Sequence, residues 1–300
     1  MLDRWRGIYA AAVTPFNEDG TIDEESLVRL IKFLEEGGVK GIYALGTTGE
    51  FPHLTQEERF RVAEICADTI SKINLIVNVG DITTKKSIEN GRRLEKLSGV
   101  DAIATISPYY YMLNQEQLLK HHLIIGKSLE FPYFIYYIPQ MTKLKMSMET
   151  LKEIAELPNF TGLKDSSHDI NWYAEASKTI EGKVYLTGSD ALILHFLNFG
   201  SSGAVAATAC VAPKLLSDLM NSFDAGDLSK AKKLQEVVCS LRKLVKRFPP
   251  LSGFKALLEY QGICKRFMRE PLTAVTDNQM KEIEEYLRYD KELSRYIRRS

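Results

Sequence analysis

The sequence predicts a (β/α)8 (TIM) barrel followed by a C-terminal group of three helices. Short apolar runs alternate with longer segments of helical periodicity over residues 1–223. The runs are apolar almost throughout, as expected of parallel strands that are covered on both faces. The 300-residue length fits such a barrel, which needs about 250 residues, plus an appended segment. An open, doubly wound sheet remains the alternative.

Eight candidate strands support the barrel. Each is a short apolar run rich in Val, Ile, Tyr and Phe, which favours strand over helix. The predicted strands are residues 8–13, 41–45, 75–79, 102–106, 133–138, 161–164, 184–186 and 203–206.

Eight helical segments separate or follow these strands. Thr55 and Ser147 stand where N-caps are expected, and Pro213 suits the first turn of a helix. The predicted helices are residues 23–37, 55–71, 83–97, 114–129, 147–157, 168–180, 190–199 and 213–223.

After residue 223 the strand signal ends. Residues 227–247, 254–266 and 277–299 have helical periodicity, and the sequence Phe248-Pro249-Pro250 interrupts it. We therefore predict a catalytic barrel domain over residues 1–223 and a helical domain over residues 224–300.

Charge and composition exclude several classes of protein. The 39 basic and 39 acidic residues balance, which argues against a dedicated binder of nucleic acid or membrane surfaces. The four cysteines form no CxxC pair, so we expect buried free thiols. The N-terminal apolar run is too short for a signal peptide, and no run of about 20 apolar residues predicts a membrane span. A cytoplasmic enzyme is expected.

Lys164 ends the sixth predicted strand, in the sequence Gly162-Leu163-Lys164-Asp165-Ser166. In such barrels the working side chains lie at the C-terminal ends of strands. Burial among apolar side chains lowers the pKa of a lysine, and the neutral amine can attack a ketone and form an imine. A surface lysine after a strand explains the position alone at least as well.

The sequence Gly46-Thr47-Thr48-Gly49-Glu50 follows the second strand. We expect the glycines to let backbone amides turn toward an anion, and the threonine hydroxyls to hold a carboxylate or pass protons. A plain turn is the alternative. Nucleotide binding is discounted because the lysine of a phosphate-binding loop is missing. Glu50 has either a catalytic or a purely structural role.

The fifth strand ends in Tyr136-Tyr137-Ile138-Pro139. Consecutive strand residues point to opposite faces, so one tyrosine should face the barrel interior and the other the helices. An inward phenol near a neutral amine can relay protons. The alternative is that both tyrosines only pack.

Two further segments follow strands. Tyr109, Tyr110 and Tyr111 are consecutive aromatics after the fourth strand; we expect all three to be exposed, which suits a subunit contact or a substrate lid. Asp190 follows the seventh strand and either binds substrate hydroxyls or caps the next helix. The five histidines form no HExxH motif or other metal-ligand pattern, so no metal site is expected.

Together and in this order, these motifs resemble the dihydrodipicolinate synthase / N-acetylneuraminate lyase superfamily. The matching segments are VTPF (13–16), GTTGE (46–50), SPYYY (107–111), YYIP (136–139), GLKDSS (162–167) and GSD (188–190). The resemblance implies a Schiff-base aldolase that uses pyruvate and an aldehyde or 2-oxo sugar acid. It implies a homotetramer and no metal or organic cofactor.

The resemblance also implies roles for individual residues. Lys164 becomes the Schiff-base lysine, and Tyr136 becomes the proton shuttle. Thr47 and Thr48 hold the pyruvoyl carboxylate, with Thr47 also relaying protons, and Tyr110 reaches the site of a neighbouring subunit. Further positions implied to bind substrate are Ser166, Gly188, Asp190 and Ala206.

Several positions bear on the aldehyde half of the substrate. Synthases similar to this chain carry an arginine two residues after the proline of YxxP, where this sequence has Met141. The replacement removes a bidentate carboxylate ligand. Sialic acid lyases carry an Asp-Glu pair and a serine at positions that are Asp190-Ala191 and Ala207 here, so two hydroxyl-binding groups are lost.

The segments Lys164-Asp165-Ser166 and Gly188-Ser189-Asp190 look like those of 2-keto-3-deoxygluconate aldolases. The arginine that some of these aldolases use for phosphorylated substrates is absent from Tyr111-Met112-Leu113. We therefore favour an unphosphorylated 2-keto-3-deoxy sugar acid such as 2-keto-3-deoxygluconate. The alternatives are the synthase reaction with aspartate semialdehyde, N-acetylneuraminate cleavage, and a non-catalytic regulatory protein that binds an oxo acid.

Overall fold

Eight parallel strands form a closed barrel in the computed structural model, which describes residues 2–299. Each strand pairs with the next along the chain, and the first pairs with the eighth. The strands are β1 (Gly7–Ala11), β2 (Gly41–Ala44), β3 (Asn74–Asn78), β4 (Ala102–Ile106), β5 (Tyr133–Tyr137), β6 (Phe160–Asp165), β7 (Val184–Thr187) and β8 (Gly203–Ala206). The predicted (β/α)8 barrel is confirmed, and the open sheet is excluded.

The helices of the barrel are α1 (Leu2–Trp5), α2 (Glu24–Glu36), α3 (Gln56–Thr69), α4 (Thr84–Leu94), α5 (Gln115–Ser128), α6 (Pro139–Thr142), α7 (Met148–Ala155), α8 (Ile170–Thr179), α9 (Ile193–Asn198) and α10 (Pro213–Asp224). Helices follow the strands in the predicted order, whereas α1, which precedes β1, and α6, which directly follows β5, were not predicted. The predicted caps are confirmed: Thr55 forms a capping box with Glu58, and the Ser147 side chain accepts a hydrogen bond from the Thr150 amide.

Three helices lie beyond the barrel, as predicted. They are α11 (Leu228–Val245), α12 (Ser252–Tyr260) and α13 (Asp277–Tyr289). The predicted extension of α12 to residue 266 is wrong, because Gly262 takes φ of +72° and ends the helical path. The predicted extension of α13 to residue 299 is also wrong, since only a 3₁₀ turn, Leu293–Arg295, follows it. The division into two domains at residue 223 stays a prediction.

Another difference concerns the segment after β7. Residues 190–199 were predicted as one helix, but they form a 3₁₀ turn, Asp190–Leu192, and then α9. Gln235 of α11 holds this junction: its side-chain amide donates to the Asp190 carbonyl, and its oxygen accepts from the Leu194 amide, both at 2.9 Å. Tertiary hydrogen bonds from another helix therefore override the local periodicity.

The core is formed by the strands and the inward faces of the helices, and all eight strands are almost fully buried. Burial on both faces explains why the strands are apolar along their whole length. Within residues 2–299, no helix is long and apolar enough to cross a membrane.

Candidate active site

Lys164 lies near the C-terminal end of β6, where its backbone pairs with Tyr136 of β5 and Leu186 of β7. The side chain is only 4% exposed. Its Nζ atom lies 3.7 Å from the ring centre of Tyr136 and 3.9 Å from that of Tyr43. The alternative of a surface lysine is therefore wrong.

Burial lowers the pKa of Lys164 from 10.5 to about 7, and the carboxylate of Asp190 opposes the shift only in part. The cause is desolvation, which penalises the ammonium form. A large fraction of the amine is consequently neutral near pH 7. A neutral buried amine is the form that can attack a carbonyl carbon.

Tyr136 and Tyr137 point to opposite sides of β5, as predicted. The Tyr136 hydroxyl lies 3.1 Å from Thr47 Oγ1, whereas Tyr137 stacks on Trp172 of α8 with ring centres 4.1 Å apart. Burial raises the pKa of Tyr136, and the hydroxyls of Thr47 and Ser166 oppose the shift in part. The phenol therefore stays protonated at neutral pH and can pass its proton between neighbouring hydroxyls.

The Gly46–Glu50 segment closes with a 3₁₀ turn, Thr47–Gly49. The amides of Gly49 and Glu50 donate within the turn, so the amides that face a carboxylate ligand would be those of Thr47 and Thr48. Thr14 Oγ1 donates to the Gly49 carbonyl at 2.7 Å and fixes the far side of the turn.

The expected reason for the two glycines of this turn is wrong. Neither takes a positive φ; the left-handed residues are Leu45 and Glu50, at φ of 58° and 55°. Gly46 is required by close packing instead, because a Cβ there would lie 3.0 Å from the Tyr43 ring and 3.9 Å from Lys164 Nζ. Because Gly46 has no side chain, the turn can lie close to Lys164.

Asp190 is almost fully buried beside this group of residues. Its carboxylate accepts hydrogen bonds from the amides of Ala207 and Thr208, at 3.3 and 2.9 Å, just after β8. Of the two alternatives for Asp190, capping of the helix that follows it is wrong, because its side chain caps the turn after another strand. Arg242 of α11 approaches the same carboxylate at 3.9 Å.

The other predicted positions lie nearby or on the surface. Ser166 is buried after β6, and Gly188 packs so tightly on it that a Cβ at Gly188 would overlap the serine oxygen. Ala206 is buried in β8 opposite Ala10 of β1. Tyr110 is 86% exposed. The exposure predicted for all three aromatics is wrong for Tyr109, which is half-buried against the ring of Phe51.

Tyr43 was not foreseen as a site residue. Its ring packs edge-on against Tyr136, with centres 5.7 Å apart, and lies under the amine of Lys164. Its buried hydroxyl has no hydrogen-bond partner among residues 2–299. The only signal in the sequence is a polar-tipped residue inside an otherwise apolar strand.

Glu50 has a structural partner that the sequence did not reveal. Its carboxylate accepts a hydrogen bond of 2.6 Å from Lys255 of α12, and both side chains are buried. In residues 2–299, no group of three His, Cys, Asp or Glu side chains is arranged to hold a metal ion.

Comparison with known proteins agrees with this geometry. The model of the dihydrodipicolinate synthetase family matches residues 4–289. An uncharacterized DapA-like lyase of Halobacterium salinarum is 32% identical, over 93% of this chain and 91% of that protein. A 4-hydroxy-tetrahydrodipicolinate synthase of Bartonella bacilliformis is also 32% identical, over 95% and 97%.

Solved structures give the same result. The dihydrodipicolinate synthase of Aquifex aeolicus superposes with a TM-score of 0.90 at 27% identity, covering 98% of this chain and 99% of that one. CdNal of Clostridium difficile, solved in complex with mannosamine, has a TM-score of 0.90 at 28% identity, covering 97% and 99%. The chain belongs to the dihydrodipicolinate synthetase family, whose members are pyruvate-dependent class I lyases, and it is an enzyme of that kind.

Proposed function

We propose that the enzyme cleaves or forms a 2-keto-3-deoxy sugar acid such as 2-keto-3-deoxygluconate, with pyruvate as one partner and Lys164 as the Schiff-base residue. The observation that carries the proposal is the buried Lys164 amine, whose pKa is about 7, beside the Tyr136–Thr47 hydroxyl pair. A nucleophile and a proton carrier are thus held together in a buried site.

In the cleavage direction, the Lys164 amine attacks the 2-oxo carbon, and the Tyr136 phenol gives its proton to the departing hydroxyl, so that loss of water leaves a protonated imine and a Tyr136 phenolate. Tyr136 then takes the proton of the C4 hydroxyl as the C3–C4 bond breaks. The bonding electrons pass into the imine, which becomes an enamine. Protonation at C3 and hydrolysis release pyruvate and restore the free amine.

Thr47 and Thr48 are proposed to hold the pyruvoyl carboxylate through their hydroxyls and amides. Thr47 also connects Tyr136 to the bound substrate, because its hydroxyl lies 3.1 Å from the phenol. Ser166, Gly188, Asp190 and Ala206 are proposed to line the side of the site that receives the remainder of the substrate.

Met141 supports a sugar acid over aspartate semialdehyde. It lies on α6, directly after the strand that carries Tyr136, and is 60% exposed. A thioether cannot bind a second carboxylate as an arginine can. The synthase reaction is the second candidate, because several relatives are named as synthases. N-acetylneuraminate cleavage is the third candidate, because of the similarity to CdNal.

A substrate panel tests the proposal. Pyruvate release is measured from 2-keto-3-deoxygluconate and from N-acetylneuraminate, and condensation of pyruvate with aspartate semialdehyde is measured alongside, with Lys164→Ala as the blank. We expect the highest kcat/KM for the ketodeoxy sugar acid. Efficient turnover of aspartate semialdehyde alone would contradict the proposed substrate but not the Schiff-base chemistry.

We further propose a homotetramer in which Tyr110 completes the site of a neighbouring subunit. Tyr110, Tyr111 and Met112 are consecutive and 86%, 72% and 70% exposed. Exposed apolar residues grouped in this way are typical of a surface that another subunit covers.

A further inference from the structure

A buried ion pair joins the C-terminal helices to the turn that carries Thr47 and Thr48. Lys255 Nζ of α12 lies 2.6 Å from Glu50 Oε1, and the two side chains are 1% and 0% exposed. Glu50 directly follows the 3₁₀ turn Thr47–Gly49 and has a left-handed φ of 55°. The pair is therefore attached to the residue that closes this turn.

Lys255 is itself held on several sides. Its Nζ also donates to the Phe267 carbonyl at 2.8 Å and lies 4.0 Å from the ring centre of Phe16. The Arg269 guanidinium lies over the same ring at 4.6 Å and donates to the carbonyls of Gly20 and His53 and to the Glu58 carboxylate. The lysine is consequently a fixed anchor for Glu50.

Stability alone does not account for the pair. Taking two charges out of water is costly, and an apolar pair of the same shape is often as stable. A buried ion pair strongly favours the one arrangement in which both charges are paired. Leaving one buried charge unpaired costs far more free energy than displacing an apolar group. The turn is held by Thr14 on the Gly49 carbonyl and, through the Glu50 carboxylate, by Lys255 at 2.6 Å and by the longer hydrogen bond from the Arg269 amide at 3.4 Å.

We propose that Lys255 is a positioning residue for the pyruvate end of the active site. Acting through Glu50, it holds the turn so that Thr47 Oγ1 stays within hydrogen-bond reach of Tyr136 and the Thr47 and Thr48 amides face the carboxylate. This inference rests on the proposed function of that turn. It makes α12 necessary for pyruvate binding although Lys255 touches no reacting atom.

The test is the rate of imine formation in a variant that removes both charges together. In Glu50→Gln with Lys255→Met, the two side chains keep nearly their original shapes and neither leaves a buried charge unpaired. We measure the melting temperature, the rate at which borohydride traps pyruvate on Lys164 at subsaturating pyruvate, and the half-saturation constants of pyruvate and of the aldehyde.

The proposal predicts a folded double variant that traps pyruvate about 10- to 100-fold more slowly, because small displacements of positioning groups have effects of that order. The half-saturation constant of pyruvate rises, and that of the aldehyde does not. Glu50→Gln alone, which keeps an acceptor for Lys255, falls between the wild type and the double variant. If the double variant does not fold, the same measurements on Glu50→Gln, compared with the wild type, test the proposal.

Arg266→Met is the matched control, since it breaks ion pairs with Glu259 and Asp277 in the same region without touching Glu50. It should lower the melting temperature and leave the trapping rate unchanged. Trapping by the folded double variant within about twofold of the wild type, or equal slowing by Arg266→Met, overturns the proposal. A wild-type protein that traps no pyruvate would instead overturn the proposed function, and this inference with it.

Discussion

The proposed chemistry depends on how burial changes the pKa of Lys164. Among residues 2–299, no side chain accepts a hydrogen bond from its amine. The rings of Tyr43 and Tyr136 lie against the amine, and the Asp190 carboxylate opposes the lowering of the pKa only in part. Desolvation therefore outweighs the nearby carboxylate and lowers the pKa to about 7. The apolar surroundings at this end of the barrel therefore keep a large fraction of the amine neutral, and so nucleophilic, near pH 7.

This environment predicts a specific pH dependence. Below pH 7 the Lys164 amine is protonated and cannot attack, so the trapping rate should fall about tenfold per pH unit, whereas above pH 7 it should level off. The rate at which borohydride traps pyruvate on the protein is measured between about pH 5 and about pH 9. A rate that keeps rising toward pH 10.5, the usual lysine pKa, would contradict the assignment.

Removing the Tyr136 hydroxyl should separate proton transfer from binding. In Tyr136→Phe, we expect kcat to fall about 10²- to 10⁴-fold, the range for loss of a general acid–base group, while the protein stays folded. Tyr137→Phe is the matched control, because Tyr137 lies on the outer face of the same strand against Trp172. Equal losses in the two variants would show that packing, and not proton transfer, is affected.

At the residue scale, the sequence predicted the residues that stand at strand ends. Lys164, Tyr136 and Thr47 do converge, because parallel strands of a barrel end on one face. Tyr43 was not predicted, since a tyrosine in an apolar strand is indistinguishable from a core residue. The Glu50–Lys255 pair was not predicted because 205 positions separate the two residues, and no local pattern records such a contact.

At the scale of elements, the C-terminal ends of β6 and β7 can pack closely because Gly188 has no side chain. Gly188 faces Ser166 and lies so close to the Asp165 carbonyl that a Cβ would be 3.1 Å from that oxygen. Backbone cannot move aside as a flexible side chain can. The serine beside Tyr136 therefore depends on a glycine from the neighbouring strand.

Gly188→Ala should consequently lower kcat by about tenfold or more through displacement of Ser166, since misplaced groups in an active site have effects of this order. Gly126→Ala, where the added methyl would meet the flexible side chain of Leu157 outside the barrel, is the control. Both variants are assayed for turnover and for melting temperature. Loss of stability without loss of turnover in Gly188→Ala would show that the contact serves only packing.

The elements themselves were predictable, and their ends were less so. Continuous apolar runs identify buried parallel strands, and side-chain caps such as Thr55 mark helix starts. The failures occur where tertiary contacts decide, as at the turn Asp190–Leu192, which Gln235 of α11 holds. The early end of α12 has a local cause instead: Gly262 adopts a left-handed backbone conformation, and the helix ends before it.

At the scale of the whole molecule, the proposed tetramer gives Tyr110 a role that one subunit alone cannot fulfil. If Tyr110 completes a neighbouring site, then Lys164→Ala and Tyr110→Ala subunits should restore activity when mixed and allowed to exchange. One site in each mixed pair then contains an intact Lys164 and an intact Tyr110. Assay of the mixture against the separate variants tests this, and an activity equal to the mean of the two would contradict it.

The proposed mechanism begins with an imine between pyruvate and Lys164, and reduction by borohydride converts this imine into a stable adduct that can be detected. The protein is incubated with pyruvate and borohydride, and its intact mass and modified peptide are determined beside those of Lys164→Ala. We expect one stable pyruvate adduct per chain, on the peptide that contains Lys164, and none in the variant. No adduct in the wild type, or an adduct that persists in Lys164→Ala, would contradict it.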